Sequence, residues 1–167
     1  MLWIISLAVI AADILVKRYA AAVWSKAPLV LIDGVLELTY VENRGAAWGI
    51  FQGARLPFIV LTVLFLTVLI FLYCRKKKEL NTLSVVILAL IFAGAFGNLI
   101  DRAVYGYVRD MIYVSLIRFP VFNIADSAIV IGACLLILQT LFMKNGIYDV
   151  LEKAEKARRD KRNGAEP

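Results

Sequence analysis

"FPVFNIADSAIVIGACLLILQTLF", Phe119 to Phe142, is long and apolar enough to cross a membrane as a helix, yet it places an amide and a carboxylate, Asn123 and Asp126, near its beginning. A helix needs about 20 largely apolar residues to cover the roughly 30 Å of hydrocarbon in a bilayer. Working outward, three more runs approach that length: Leu2 to Val16, Leu56 to Cys74 and Leu83 to Ile100, with the fourth counted from Val121 to Phe142. The first is short and is broken by Asp13. Of the 167 residues 62% are hydrophobic and the mean hydropathy is +0.79, well above the roughly 45–50% apolar content of a soluble domain, and the excess has to face lipid. The expected fold is an all-α membrane protein: a four-transmembrane-helix bundle over residues 1–143, a small extracytoplasmic β-cradle at about 30–55 between the first two helices, and a charged tail over 144–167.

The formal net charge of +6 does not point to nucleic acid, because membrane topology explains the distribution of basic residues. The loop "CRKKKE" and the tail after Phe142 hold eleven of the nineteen lysines and arginines, and alternating spans put both on one side. That side is the cytoplasm by the positive-inside rule, so both termini are expected there. Met1 to Ala12 resembles a secretory signal but lacks a basic start and runs into Asp13, which favours a retained first span. Cys74 and Cys134 fall at different depths and are expected to be buried small side chains with no disulfide or metal role.

About forty residues separate the first two spans. In "IDGVLELTYVENRGAAWGIF", Asp33-Gly34 is a turn signal, Val35 to Val41 reads as a strand, and Asn43 to Gly45 as a second turn. Ala46, Ala47, Trp48 and Gly49 make a small flat segment, with Trp48 suited to headgroup depth. Pro57 and Pro120 are expected at the starts of spans two and four, where a missing N–H costs nothing. "EKAEKARRDKRNGAEP" is expected to be a charged helix that frays and carries no chemistry.

The polar membrane residues converge on one leaflet: Asp13 and Lys17 at the outer end of span one, Asn98, Asp101 and Arg102 at that of span three, Asn123 and Asp126 at that of span four. Asp110 lies on the outer connection. Asp13 and Lys17 are four apart, Asn98 and Asp101 three, Asn123 and Asp126 three, so each pair is expected on one helix face. Unpaired charge in lipid costs several kcal/mol, which directs these faces into the bundle or a wet crevice. Polar helix packing would explain one such residue; it does not explain the concentration at one end.

The chain has no histidine, which removes the commonest general base and the Ser-His-Asp and Cys-His arrangements. Ser127 has no evident base, and carboxylates remain. Two carboxylates sharing one proton hydrolyse amides, the ionised member taking a proton from water while the protonated member polarises the carbonyl. Asp126 is one candidate; its partner is Asp13, Asp101 or Asp110. Asp101 adjoins Arg102 and Asp13 shares a face with Lys17, so Asp110 is the least obviously neutralised, followed as it is by "MIYVSLI", an apolar stretch able to return it to the membrane surface. The rival chemistry is a Mg-dependent membrane lipid phosphatase or transferase, with Asp101, Asp110 and Asp126 as oxygen ligands. A proton or ion pathway requires ionisable groups at midplane, and none lies at the centres of spans two and four. The remaining alternative is a structural assembly protein.

At these residues the sequence resembles the lipoprotein signal peptidase, or signal peptidase II, family. The resemblance rests on "DILVK", "ENRGAAWG", "GAFGNLIDR", "VRDM" and "FNIADS", five motifs in order that reach from span one to span four. It implies an aspartyl endopeptidase of the bacterial cytoplasmic (inner) membrane, with both termini cytoplasmic and the active site at the outer leaflet. It cuts diacylglyceryl-modified prolipoproteins on the N-terminal side of the lipidated cysteine. Carried onto this chain, it implies Asp110 and Asp126 as the catalytic dyad, with Asp13, Lys17, Asn43, Gly45, Asn98, Asp101, Arg102 and Asn123 binding substrate or supporting the site. It implies no cofactor, a monomer, and inhibition by cyclic peptides of the globomycin type. Two positions depart from the family: Ala93 stands beside Gly94 where two glycines are frequent, and Arg44 follows Asn43 where a small residue is frequent.

Overall fold

The computed structural model describes residues 1–45, 53, 55–143 and 146–163. The flat segment at Ala46 to Gly49, with Trp48, therefore lies outside the described residues. In chain order the elements are α1 (Leu2–Tyr19), a π-helical turn (Ala20–Trp24), β1 (Leu29–Ile32), β2 (Leu36–Asn43), α2 (Arg55–Lys76), α3 (Thr82–Val104), β3 (Val108–Val114), a 3-10 turn (Ser115–Ile117), α4 (Ile124–Phe142) and α5 (Ile147–Asn163).

Helices α2, α3 and α4 are long and apolar enough to cross a membrane. Helix α1 has 18 residues but carries Asp13, Lys17 and Arg18, which makes it the least lipid-like of the four. The central helix is α3: 56% of its most apolar stretch is buried inside the protein, against 11% for α2 and 22% for α4. Its small residues allow that position. A Cβ on Gly94 would collide with the Ala125 carbonyl oxygen, and one on Gly97 would lie 2.8 Å from Asp13 Oδ2, so α4 and α1 both press against the α3 backbone there. Ala93, the departure noted above, is itself buried. Leu2, Val85 and Ala89 form one apolar cluster and Leu66, Leu69 and Phe92 another. Large side chains elsewhere on α2 and α4 face outward, as Leu61, Phe71, Val130 and Phe142 do. Cys74 and Cys134 share those outward faces and are exposed, contrary to the expectation that they are buried.

The small sheet is three-stranded and antiparallel, in the order β1-β2-β3. Asp33-Gly34 forms the first turn as expected, with Gly34 at φ +66° where a side chain would be strained. The expected cradle came from the first connection alone; the third strand comes instead from the α3–α4 connection. "MIYVSLI" hides this strand because its apolar run lacks the alternation of a one-sided strand. Strand β3 pairs with β2 through Leu36 to Val114, Val41 to Asp110 and Asn43 to Val108, with an irregularity between Leu38 and Val41. It is also tied to the approach to α4: the Met111 and Ile112 N–H groups donate to the Phe122 carbonyl, and Phe122 N–H donates back to Ile112.

At the opposite end of the bundle a second polar group joins α3, α4 and α5. Buried Gln139 accepts from Ser84 Oγ at 3.1 Å and from the Ile147 backbone at 3.2 Å, and donates to Asn81 at 3.3 Å.

Candidate active site

Helix α4 begins at Ile124, later than the expected Val121, and Pro120 precedes it by four residues. Asn123 has extended backbone (φ −132°) and is the N-cap, so it shares no helical face with Asp126. The two form a reciprocal capping box instead. Asn123 Oδ1 accepts from the Asp126 N–H at 2.8 Å, and Asp126 Oδ2 accepts from the Asn123 N–H at 3.1 Å. Such a box satisfies two backbone donors at a helix start, and the helix dipole there favours a carboxylate. On α2, Pro57 is the third residue, close to its expected place.

Because Phe122 is bound to β3, Asn123 reaches Asp110 across the connection. Asn123 Nδ2 donates to Asp110 Oδ1 at 2.6 Å, and Asn43 Nδ2, from the end of β2, donates to Asp110 Oδ2 at 2.9 Å. Asn43 in turn accepts from Gly45 N–H at 3.0 Å, the expected second turn. From α3, Asn98 Nδ2 donates to Asp126 Oδ1 at 2.7 Å. Each carboxylate therefore receives two donors. Burial pushes the Asp110 carboxyl up to about 7, and the charge of Asp126 pushes the same way against the two amide hydrogen bonds. Asp110 thus holds a proton close to neutral pH.

Behind this pair lies a buried ion cluster. Lys17 Nζ is 2.7 Å from Asp13 Oδ2 and 3.4 Å from Asp101 Oδ2, and donates to Asn98 Oδ1 at 3.0 Å. Asp13 Oδ1 accepts the Ala125 N–H at 3.0 Å, binding α1 to the first turn of α4. Asp101 is neutralised as expected, but by a different arginine. Arg109 donates to it from Nη2 at 2.7 Å, from Nε at 3.2 Å and from its backbone at 3.0 Å. Strand geometry explains the switch, since neighbours Arg109 and Asp110 point to opposite faces of β3. Arg109 was missed as a supporting residue; its place beside Asp110 in "VRDM" was the available signal.

Arg102, free of Asp101, lines a cavity of about 520 Å³ with Asn43, Asn98, Asp110 and Asp126, walled by apolar residues including Val108, Phe122 and Ile131. Ser127 lines it too, but its hydroxyl donates to the Asn123 carbonyl at 3.0 Å. Arg44 stays on the outside, paired with Glu42 at 3.0 Å and lying over the Tyr107 ring. Of the sequence-selected residues, Asn43, Asn98, Arg102, Asp110 and Asp126 line the cavity and Asp13, Lys17 and Asp101 form the cluster behind it; Asn123 bonds to both cavity carboxylates, and Gly45 to Asn43 and Arg102. Two carboxylates facing one cavity, one of them protonated near neutrality, suit general acid–base hydrolysis. Asp101, committed to Arg109 and Lys17, does not join them as a third ligand for phosphoryl chemistry.

A sequence profile for signal peptidase (SPase) II matches residues 5–142. A lipoprotein signal peptidase of Halothermothrix orenii is 46% identical over 140 residues, covering 83% of this chain and 93% of the relative. That of Lactobacillus johnsonii is 40% identical over 141 residues, covering 84% and 91%. Among solved structures, one bacterial membrane enzyme superposes with a TM-score of 0.77 at 35% identity, covering 84% of this chain and 87% of its own. A second gives 0.76 at 34%, covering 86% and 94%.

Proposed function

The chain belongs to the signal peptidase II family, a membrane hydrolase that removes signal peptides from prolipoproteins, and we propose that Asp110 and Asp126 are its catalytic dyad. Asn123 carries this reading: its side-chain amide holds Asp110 and its backbone N–H holds Asp126, so one residue sets both acids against the cavity. Asp110, its carboxyl raised to about 7, enters as the acid. Ionised Asp126 takes a proton from water as the water oxygen attacks the carbonyl preceding the lipidated cysteine, and Asp110 gives its proton to the carbonyl oxygen. Collapse of the tetrahedral diol returns that proton, transfers the other to the cysteine nitrogen and breaks the C–N bond. Arg102 and Asn98 hold substrate and dyad oxygens where little water competes. Asp13, Lys17, Asp101 and Arg109 are the frame behind them.

The finer topology belongs to the same proposal. Helix α1 is the fourth span, with Asp13 and Lys17 buried against α3 and Arg18 exposed, and residues 1–143 are the peptidase unit. The three-stranded sheet lies at the outer leaflet of the bacterial inner membrane, with both termini and the tail in the cytoplasm. Basic loop and tail residues support that orientation. The substrate's diacylglyceryl group rests on the apolar wall of the cavity, the site a globomycin-type cyclic peptide would block. The unit acts as a monomer.

The test is cleavage of a synthetic precursor peptide, with and without diacylglyceryl on its cysteine, followed by mass spectrometry. Cleavage immediately before the modified cysteine, with the unmodified peptide spared, is expected. Equal cleavage of both, or a cut elsewhere, would overturn the substrate reading.

A further inference from the structure

We infer that Arg55 and Phe58, on the first turn of α2, are positioning residues that set where Arg102 stands in the active-site cavity. This rests on the proposed role of Arg102 above. Three residues apart, Arg55 and Phe58 share a face of α2. Arg55 Nε donates to the Arg102 carbonyl at 2.8 Å, and its Nη2 donates to the Ala103 carbonyl at 2.7 Å. Both are last-turn carbonyls that α3, ending at Val104, leaves without helical partners. The Phe58 ring lies under the Arg102 guanidinium, 4.9 Å from its centroid to Cζ. One turn of α2 therefore grips Arg102 at both ends, backbone and guanidinium.

Arg102 needs that grip. Among the described residues the one hydrogen bond of its side chain is to the Gly45 carbonyl at 3.4 Å, and no carboxylate forms an ion pair with it. A long side chain held so loosely takes its direction from its backbone and from the ring beneath it. Gly106, at φ +83°, turns the chain immediately after α3, and Arg55 packs against it; a Cβ there would sit 3.4 Å from Arg55 Nη1. An ordinary helix-end arginine would stabilise the fold and leave catalysis alone. The cation–π contact to the same arginine separates this pair from that role.

The experiment is a double-mutant cycle on the full chain in lipid vesicles, using the lipid-modified precursor peptide. Arg55→Ala is expected to lower kcat/KM about 10-fold, chiefly by raising KM, since Arg102 holds substrate. Arg55→Lys, keeping one donor, is expected to recover part of that loss. Phe58→Leu, which keeps the apolar volume, is expected to lower kcat/KM about 3-fold or more with an unchanged Tm. In the Arg102→Gln background, Arg55→Ala is expected to have no further effect. If the Arg55 and Arg102 losses multiply, or Arg55→Ala and Phe58→Leu cleave as wild type beside an impaired Arg102→Gln, the positioning inference is wrong and the site reading stands. An Arg102→Gln enzyme as active as wild type would instead overturn the role of Arg102 itself.

Discussion

Asp110 and Asp126 come from different elements, a strand and a helix, and are joined through the two nitrogens of Asn123, at 2.6 Å to the first and 3.1 Å to the second. The bond to Asp126 belongs to a helix cap, whereas the bond to Asp110 crosses to β3. One residue thus both caps α4 and joins the dyad.

Asn123→Ser separates the two roles. Serine retains the N-cap acceptor but lacks Nδ2, so Tm should fall by only a few degrees while cleavage drops about 10²-fold. Asn123→Ala should lose the same activity and about 1 kcal/mol more stability. Thermal melts in detergent alongside peptide cleavage distinguish these; a Ser variant with wild-type activity would deny Asn123 its part in the dyad.

The pH dependence follows from Asp110. Its carboxyl is raised from 3.8 to about 7, so the acid form persists in the folded protein and is lost as pH rises through about 7. Activity should decline on that alkaline limb. Asn43 lowers the Asp110 value through its hydrogen bond, so Asn43→Ala should shift the limb to higher pH along with reducing the maximum rate. A limb that stays in place would remove Asp110 as its source.

The same group sets a stability trend. A folded value above the unfolded one gives stability that is fully present below about pH 4 and lost as pH rises through about 7, with a slope approaching about 1.4 kcal/mol per unit. Asp110→Asn should flatten Tm across this window and raise it at neutral pH. Parallel Tm profiles for wild type and variant would contradict the assignment.

Lys17 is fully buried between Asp13 and Asp101. Lys17→Met should destabilise by about 3–5 kcal/mol, because buried carboxylate charge is left without its partner. Adding Asp13→Asn should recover part of that loss. Unfolding measurements on the single and double variants test this; equal stability of wild type and Lys17→Met would show the cluster to be idle.

How much of this was legible in the sequence depended on the kind of signal. Apolar run length found α2, α3 and α4, and the absence of histidine together with one-ended polar residues found Asp126 and its neighbourhood. The pairing with Asp110 was only a preference, because it depends on β3, and β3 lacks the alternation that marks a strand exposed on one face. For the same reason adjacency in sequence favours Arg102 as the partner of Asp101 over Arg109, which is eight residues on and brought back by the turn at Gly106. A spacing of three suits both a helical face and a capping box, so it does not tell the two apart at Asn123 and Asp126. The outward cysteines follow from lipid, which makes exposure on α2 and α4 no cost to an apolar side chain.

The most direct test of the account compares wild type, Asp110→Asn and Asp126→Asn, each shown to be folded, on the diacylglyceryl-modified precursor peptide in lipid vesicles. Both substitutions are expected to reduce the cleavage rate by at least about 10³-fold, with peptide binding retained. Wild-type cleavage by either folded variant would contradict the dyad and move the catalytic partner elsewhere.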